Sequence, residues 1–310
     1  MITKGIVLAG GSGTRLYPLT AGTCKQLLPV YDKPLVYYPL TTLMLAGIQE
    51  ILIITTPRDL PQFQAVLGTG EQWGIHIQYA VQSVPRGVAD ALIVGADFIA
   101  GEGVALILGD NLFYGEGLGQ VLQRSAQLTQ GAKVFAYYVN NPEQYCVVEL
   151  ADTGQPLRLE EKPSQPQSAY SVPGIYFYDQ QATALAQQIQ PSLRGELEIT
   201  TLNQFYLAQK QLSVEILGRG VAWLDAGTHE SLLEASNFVA TIEHRQGLKI
   251  ACPEEVAYRL GWIDELQVRY LAQRLAQTAY GQYLLKVLAV DKRYFSFRDA
   301  AQLRRDGVDG

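Results

Sequence analysis

Short apolar runs recur through the first third of the chain, and their spacing sets the architecture. GIVLA (residues 5–9), EILIIT (Glu50–Thr55), HIQYA (residues 76–80) and VALIL (Val104–Leu108) are all brief, and the first two are rich in β-branched side chains. Runs of that length and make-up are the pattern of strands covered on both faces. Between the first two, residues 35–47 alternate apolar and small positions at helical spacing and stop at Gly47, which suits the turn after a helix. A second helix-like segment follows Asp59. Strand and helix in alternation predict an α/β fold, a mostly parallel sheet flanked by helices. Ligand sites in such sheets lie beyond the carboxyl ends of the strands. That edge would gather the glycine-rich segment after the first run, Gln82 after the third and Asp110 after the fourth.

The pattern then changes. Residues 133–139, 146–150, 157–159 and 174–179 read as short strands separated by turn residues, predicting antiparallel structure that forms a lid or floor for a second substrate. Helices are expected over 183–189 and 200–209, and strands over 213–217 and 221–225, the last bringing a second acid, Asp225, to a strand end. Thr228 can cap the next helix, whose Leu232, Leu233, Ala235, Phe238, Val239 and Ile242 follow a buried stripe. From about Leu248 the pattern is helical again.

At 310 residues and 48% hydrophobic, the chain can bury a sizeable core. A net charge of −6 argues against a broad nucleic-acid-binding surface, while leaving room for a small anionic ligand held by a few local cations. Cys24, Cys146 and Cys252 are too widely spaced for a C-x-x-C pair, which suggests reduced thiols in a cytoplasmic protein. No apolar run approaches the ~18 residues of a membrane span, and no signal-peptide pattern opens the chain.

The candidate chemistry begins where the first strand stops, at Gly10-Gly11-Ser12-Gly13-Thr14-Arg15. Glycines there let backbone N–H groups approach a ligand closely, and Arg15 and Lys25 add cations, which together describe a polyphosphate site. A dinucleotide fingerprint read from Gly11 fails because Leu16 replaces its third glycine, which disfavours a nicotinamide dehydrogenase. No lysine follows a glycine at the P-loop spacing. Asp110 in LILGDN and Asp225 in AWLDAGT are each a helix cap, a turn former or a metal ligand. A phosphate loop on the same edge favours the last, because polyphosphates arrive with magnesium held by one or two carboxylates. His76, His229 and His244 stand in no triad-like context, and Cys24 reads as an inert thiol, so covalent catalysis is not expected.

The string LAGGSGTRLYPLT followed by KQLLPVYDKP resembles the signature of the sugar-1-phosphate nucleotidyltransferases, and with YYPLTTLMLAGIQEILIITTP it is most similar to the glucose-1-phosphate thymidylyltransferases. The resemblance implies a Rossmann-like core over residues 1–245, with nucleotide-binding and sugar-binding parts at about 1–130 and 131–227. It also implies a small helical appendage over 246–290; the tail 291–310 lies beyond it and receives no function. The implied reaction joins dTTP and glucose 1-phosphate into dTDP-glucose with loss of pyrophosphate, a step toward dTDP-rhamnose and other deoxysugars.

In that reading Asp110 and Asp225 hold Mg²⁺, and Arg15 and Lys25 stabilise charge on the triphosphate. Lys162 grips the sugar phosphate, Glu161 accepts hexose hydroxyls, and Arg194 adds a phosphate contact, with an ion pair to Glu196 or Glu198 as its rival. Leu8, Gly10, Gly11, Gly13, Thr14, Gln26, Gln82 and Gly87 match nucleotide-binding positions, Gln82 and Gly87 at the pyrimidine edge. Tyr145, Cys146, Val172, Gly174 and Trp223 match the sugar-phosphate side. The family is typically homotetrameric and inhibited by a nucleotide-sugar end product at a second site, matched here by Gly115, Ala251, Cys252, Glu255 and Arg259.

Departures bear on specificity. Where the family commonly reads PDGLAQA, this chain has PRGVADA, so that Arg86 and Asp90 add charge near the nucleoside. Cys146 stands in place of a glycine that lies against the hexose, and Glu116 in place of a common histidine. The alternatives are the same chemistry with UTP, CTP or another hexose, and, more distantly, a non-catalytic nucleotide-sugar sensor.

Overall fold

The computed structural model describes residues 1–11 and 13–289, so the tail assigned to 291–310 lies outside the described residues. The chain runs β1 (Lys4–Leu8), β2 (Pro29–Val30), β3 (Lys33–Pro34), α1 (Tyr37–Leu45), β4 (Glu50–Thr55), α2 (Leu60–Leu67) and β5 (His76–Val81). It continues through α3 (Asp90–Val94), α4 (Ala96–Ile99), β6 (Val104–Leu108), β7 (Asn111–Gly115), α5 (Leu118–Ala126) and β8 (Ala132–Tyr138). Next come β9 (Cys146–Leu150), β10 (Pro156–Glu161), β11 (Tyr170–Ser171), β12 (Ile175–Tyr178), α6 (Ala182–Ala186) and α7 (Ile199–Ala208). The last elements are β13 (Leu212–Ile216), β14 (Val221–Asp225), α8 (His229–Gln246), α9 (Pro253–Arg259), α10 (Glu265–Arg274) and α11 (Ala279–Ala289).

One ten-stranded sheet organises the molecule, in the order β10-β9-β11-β8-β12-β6-β1-β4-β5 with β13 beside β8. β5, β4, β1 and β6 are parallel neighbours, as their apolar runs predict. Alternate residues of these strands feed opposite cores. Val7, Ile51, Ile53, Ala105 and Ile107 pack with Leu43 and Met44 of α1 and Leu122 of α5, and that core continues into α9, α10 and α11. Ile6, Leu52, Ile54 and Leu106 pack on the other face with Leu92 of α3, Ala186 of α6 and Leu202 of α7.

The antiparallel strands extend this same sheet: β12 pairs with β6, placing Ile175 opposite Ile107, and β8 pairs with β12. Of the predicted lid or floor, only β9, β10 and β11 lie away from the parallel strands, at the far end of the same sheet. The first helix begins later than its pattern predicts. The N–H groups of Leu35 and Val36 donate backward to the carbonyls of Leu28 (2.9 Å) and Gln26 (2.8 Å), so helical bonding starts only at α1. α8 starts where expected. Thr228 Oγ1 accepts from the Ser231 N–H at 3.1 Å and Ser231 Oγ from the Thr228 N–H at 3.0 Å, a reciprocal cap worth about 1 kcal/mol. The β14–β7 ribbon lies beside this cap and presents Asp225 opposite Asn111.

Candidate active site

The carboxyl ends of the parallel strands open onto a cavity of about 400 Å³. Leu8, Gly10 and Gly11 after β1, Gln82 and Gly87 after β5, and Asp110 after β6 all line it. β1 and β6 stay paired to their last residues, and the Gly109 N–H then donates to the Leu8 carbonyl at 2.9 Å, so Asp110 leaves the sheet at a defined point. Lys25, on a short 3-10 turn, donates from Nζ to Asp110 Oδ2, and Asn111 Nδ2 donates to Oδ1 at 2.9 Å. Burial pushes the Asp110 carboxyl up. The Lys25 charge and the hydrogen bonds of Lys25 and Asn111 more than reverse that and hold it below the usual carboxylate range.

The β14–β7 ribbon carries the second acid to the same place. The Ala226 N–H donates to the Asp110 carbonyl at 2.9 Å, which seats Asp225 beside Asp110 although the two are far apart in the chain. Burial and then the Asp110 charge raise the Asp225 carboxyl above its ordinary value, against the pull of Arg15 and Lys25. Asn111, which the sequence reading missed, is the hub beneath them. Its Oδ1 accepts from Trp223 Nε1 at 2.7 Å and from the Gly174 N–H at 3.0 Å, tying β7, β14 and the approach to β12 together. A Cβ on Gly174 would lie 2.6 Å from the Leu108 side chain, so only glycine permits that approach. The one signal for Asn111 in the sequence is its place directly after Asp110.

The sugar-side candidates share the cavity. Tyr145, Cys146, Glu161, Lys162, Val172, Gly174, Arg194 and Trp223 line its other half. Trp223 and Tyr145 meet with ring centroids 5.0 Å apart. Lys162 directly follows β10 and takes φ 45°, a left-handed conformation that costs energy in a residue with a Cβ. Its N–H donates to the Tyr145 carbonyl at 3.0 Å. The Arg194 ion pair falls to Glu198, with Nη2 to Oε1 at 2.9 Å, and a longer contact of 3.4 Å reaches Glu161. Glu161 Oε2 accepts from Thr200 Oγ1 at 2.6 Å. Cys146 is buried opposite Glu161 in the β9–β10 ladder, and burial pushes its thiol up to about 12.

Three nucleotide candidates do not line the cavity: Gly13, Thr14 and Gln26. They shape the loop from behind. Gly13 precedes the turn Thr14–Leu16 and its carbonyl accepts from Thr20 Oγ1 at 2.9 Å. Gln26 is buried, and its Nε2 donates to the Gly10 carbonyl at 3.2 Å.

A second cavity of about 650 Å³ lies between α1, β7 and the segment entering α9. Gly115, Glu116, Ala251, Cys252 and Glu255 line it, with Arg245 and Lys249 as its cations. Arg259 packs outside that lining, with Nη2 donating to the Val287 carbonyl at 3.3 Å and Nε 3.7 Å from Glu255. Among the described residues no group of three or more His, Cys, Asp or Glu side chains could hold a metal ion, and no helix is long and apolar enough to cross a membrane.

The comparisons with known proteins agree with this geometry. The family model described as nucleotidyl transferase matches residues 4–242. A glucose-1-phosphate thymidylyltransferase of Neisseria meningitidis is 55% identical over 285 residues, covering 92% of this chain and 99% of its own. One of Mycobacterium tuberculosis is 56% identical with the same coverage. Among solved structures, a UDP-glucose pyrophosphorylase complexed with UDP-glucose superposes with a TM-score of 0.69 at 26% identity, covering 78% of this chain and 100% of its own. With its strand-end acid pair beside a glycine loop and relatives matched nearly end to end, the chain belongs to the nucleotidyl transferase family, among its glucose-1-phosphate thymidylyltransferases.

Proposed function

We propose that the chain joins dTTP and α-D-glucose 1-phosphate into dTDP-glucose, releasing pyrophosphate. The observation that carries this reading is the meeting, in one cavity, of Asp110 and Asp225 with the cations Arg15, Lys25, Lys162 and Arg194. The sugar phosphate needs no base from the protein. Its second pKa is about 6, so near pH 7 its oxygen is already an anionic nucleophile. What it needs is proximity to the α-phosphorus and relief from repulsion by the triphosphate. Lys162 and Arg194 would hold the incoming phosphate, and Arg15 and Lys25 the triphosphate. A new bond then forms from the sugar-phosphate oxygen to the α-phosphorus as the α–β bridging bond breaks in line. The electron pair leaves on pyrophosphate, beside Arg15 and Lys25.

Asp110 and Asp225 fit a magnesium ion. They are oxygen donors side by side, and the Asp110 charge adds to burial in raising the cost of ionising Asp225. Two carboxylates suit a metal that keeps water and phosphate oxygens as its remaining ligands. When bound, the ion supplies Lewis-acid neutralisation of phosphate charge. The larger second cavity, with Arg245 and Lys249 on its wall, suits a nucleotide-sugar inhibitor, and we propose a cytoplasmic homotetramer on the family pattern.

The test is pyrophosphate release from glucose 1-phosphate with dTTP, UTP, CTP, ATP and GTP in turn, with and without Mg²⁺. Magnesium-dependent release led by dTTP is expected. Silence with every nucleotide, repeated with other hexose 1-phosphates, would overturn the reading.

A further inference from the structure

Gln82 enters the nucleotide half of the cavity directly after β5, where its N–H donates to the Thr55 carbonyl at 2.8 Å. Its side chain is buried, and its Oε1 faces Gly10, where a Cβ would lie 3.3 Å away. The Nε2 donates to Asp90 Oδ2 at 2.7 Å. Asp90 is fully buried at the start of α3 and takes the Arg86 guanidinium on Oδ1, also at 2.7 Å. A carboxylate paired with a guanidinium offers acceptors only, so the Gln82 amide can be seated in one way. Its NH₂ must turn to Asp90 and its carbonyl oxygen to the cavity.

We infer that Asp90 is a positioning residue for base selection: it locks Gln82 with its carbonyl oxygen toward the base, so the site takes pyrimidines that present an N3–H and rejects those that do not. Thymine and uracil carry that donor. Cytosine places a lone pair at the same position and would leave the Gln82 oxygen facing another acceptor. This inference rests on the nucleotide-binding reading of the cavity and narrows it.

The frame around the amide is rigid. The Arg86 carbonyl accepts from the Leu197 N–H at 2.6 Å, and the Ala89 N–H donates to the Leu197 carbonyl at 3.1 Å. Gly87 between them takes φ 110°, and a Cβ there would lie 2.5 Å from the Leu197 nitrogen. Arg86 is exposed, yet its guanidinium gives the buried Asp90 carboxyl an ion-pair partner four residues away. The two charges that depart from the family pattern therefore act together, and their joint effect is to fix one amide.

The test is calorimetric titration of the intact protein with dTDP, UDP and CDP, using wild type and Asp90→Asn. An asparagine can donate or accept, so it frees the Gln82 amide to turn while preserving the side-chain volume. Wild type should bind dTDP and UDP at least ~10-fold more tightly than CDP, the cost of opposing two buried acceptors. In Asp90→Asn, folded by circular dichroism, that ratio should shrink by ~5-fold or more, chiefly through tighter CDP binding. A wild type that binds all three alike overturns the inference, as does an Asp90→Asn protein that keeps the full ratio or weakens every nucleotide equally. N3-methyl-dTDP on wild type tests the N3–H contact that the inference requires even if the variant does not fold: at least ~10-fold weaker binding than dTDP is expected, and equal binding overturns the inference. Loss of turnover in the nucleotide panel would sink the proposed reaction, whereas these binding ratios answer separately.

Discussion

The two cavities of this molecule are built on different principles. The smaller one sits where parallel strands end, and its charged groups are held by backbone bonds between strands, with Asp110 and Asp225 seated through the Leu8, Gly109 and Ala226 contacts. The larger one is walled by α1, β7 and the segment entering α9, and its cations Arg245 and Lys249 come from the end of α8 and the link beyond it. The first brings a pair of acids among cations. The second sets Arg245 and Lys249 with Glu116 and Glu255, Lys249 being already paired to Asp32 and Glu243, and Glu255 is raised by burial and only partly relieved by Tyr283 and Arg259. A site for chemistry on phosphates needs the acid pair; a site that only holds an anion does not. The comparison teaches that the two cavities differ in how their charged groups are held as well as in size, and on the proposed reading that difference separates a catalytic site from an inhibitor site.

The strongest way to break that contrast is to remove a cation from the smaller cavity. Lys25→Ala should lower kcat by ~10³-fold, since the residue donates to Asp110 and, on the proposed reading, also faces the departing phosphate. Steady-state pyrophosphate release would show this, and a loss below ~10-fold would remove Lys25 from the catalytic set.

Asp225→Asn should abolish turnover at a similar scale while stabilising the metal-free protein. The sign follows from linkage. The folded chain holds the Asp225 proton more tightly than the unfolded chain does, so stability falls as pH rises through the two values and is lowest above both. Near neutral pH the variant's Tm should therefore rise by about 2 °C, and a fall in Tm would show that Asp225 is not a strained charge. For Asp110 the sign is opposite. Its carboxyl is depressed, so its stabilisation is present above the unfolded value and is lost as pH falls through the folded one.

In the second cavity, Arg245→Glu should raise the concentration of a dTDP-sugar needed for half inhibition by ~10-fold, while turnover at saturating substrate changes less than ~2-fold. Equal effects on both would collapse the distinction between the cavities.

The smallest effect is expected at Cys146. The β9–β10 register is regular there and the thiol sits buried, so the side chain is accommodated without displacing the strand. Cys146→Gly should change kcat/KM for glucose 1-phosphate by less than ~3-fold and lower stability by ~1 kcal/mol through a lost side chain and a more flexible strand. A larger gain in kcat/KM would show that the thiol obstructs the hexose. With its pKa pushed up to about 12, the thiol should also resist iodoacetamide under mildly alkaline conditions.

Much of this molecule is written along the chain. β4, β6, β9 and β14 fall on the stretches that their apolar patterns mark, because strand burial is decided by short runs and by period-two alternation. The glycine loop and the acids at strand ends are likewise local facts, since a strand's carboxyl end is visible where its apolar run stops. Tertiary structure alone decided the rest. β7 follows β6 after a tight turn, and its pairing with β14, and the meeting of Asp110 with Asp225, come from contacts between distant segments. In the sequence Arg86 and Asp90 read only as charge added near the nucleoside. Only the fold buries Asp90 against Gln82 and makes the pair a fixed support for one amide. The physical reason is the same in each case: apolar periodicity is read from neighbours in sequence, whereas a buried polar group takes its meaning from whichever partner the fold brings within hydrogen-bonding distance.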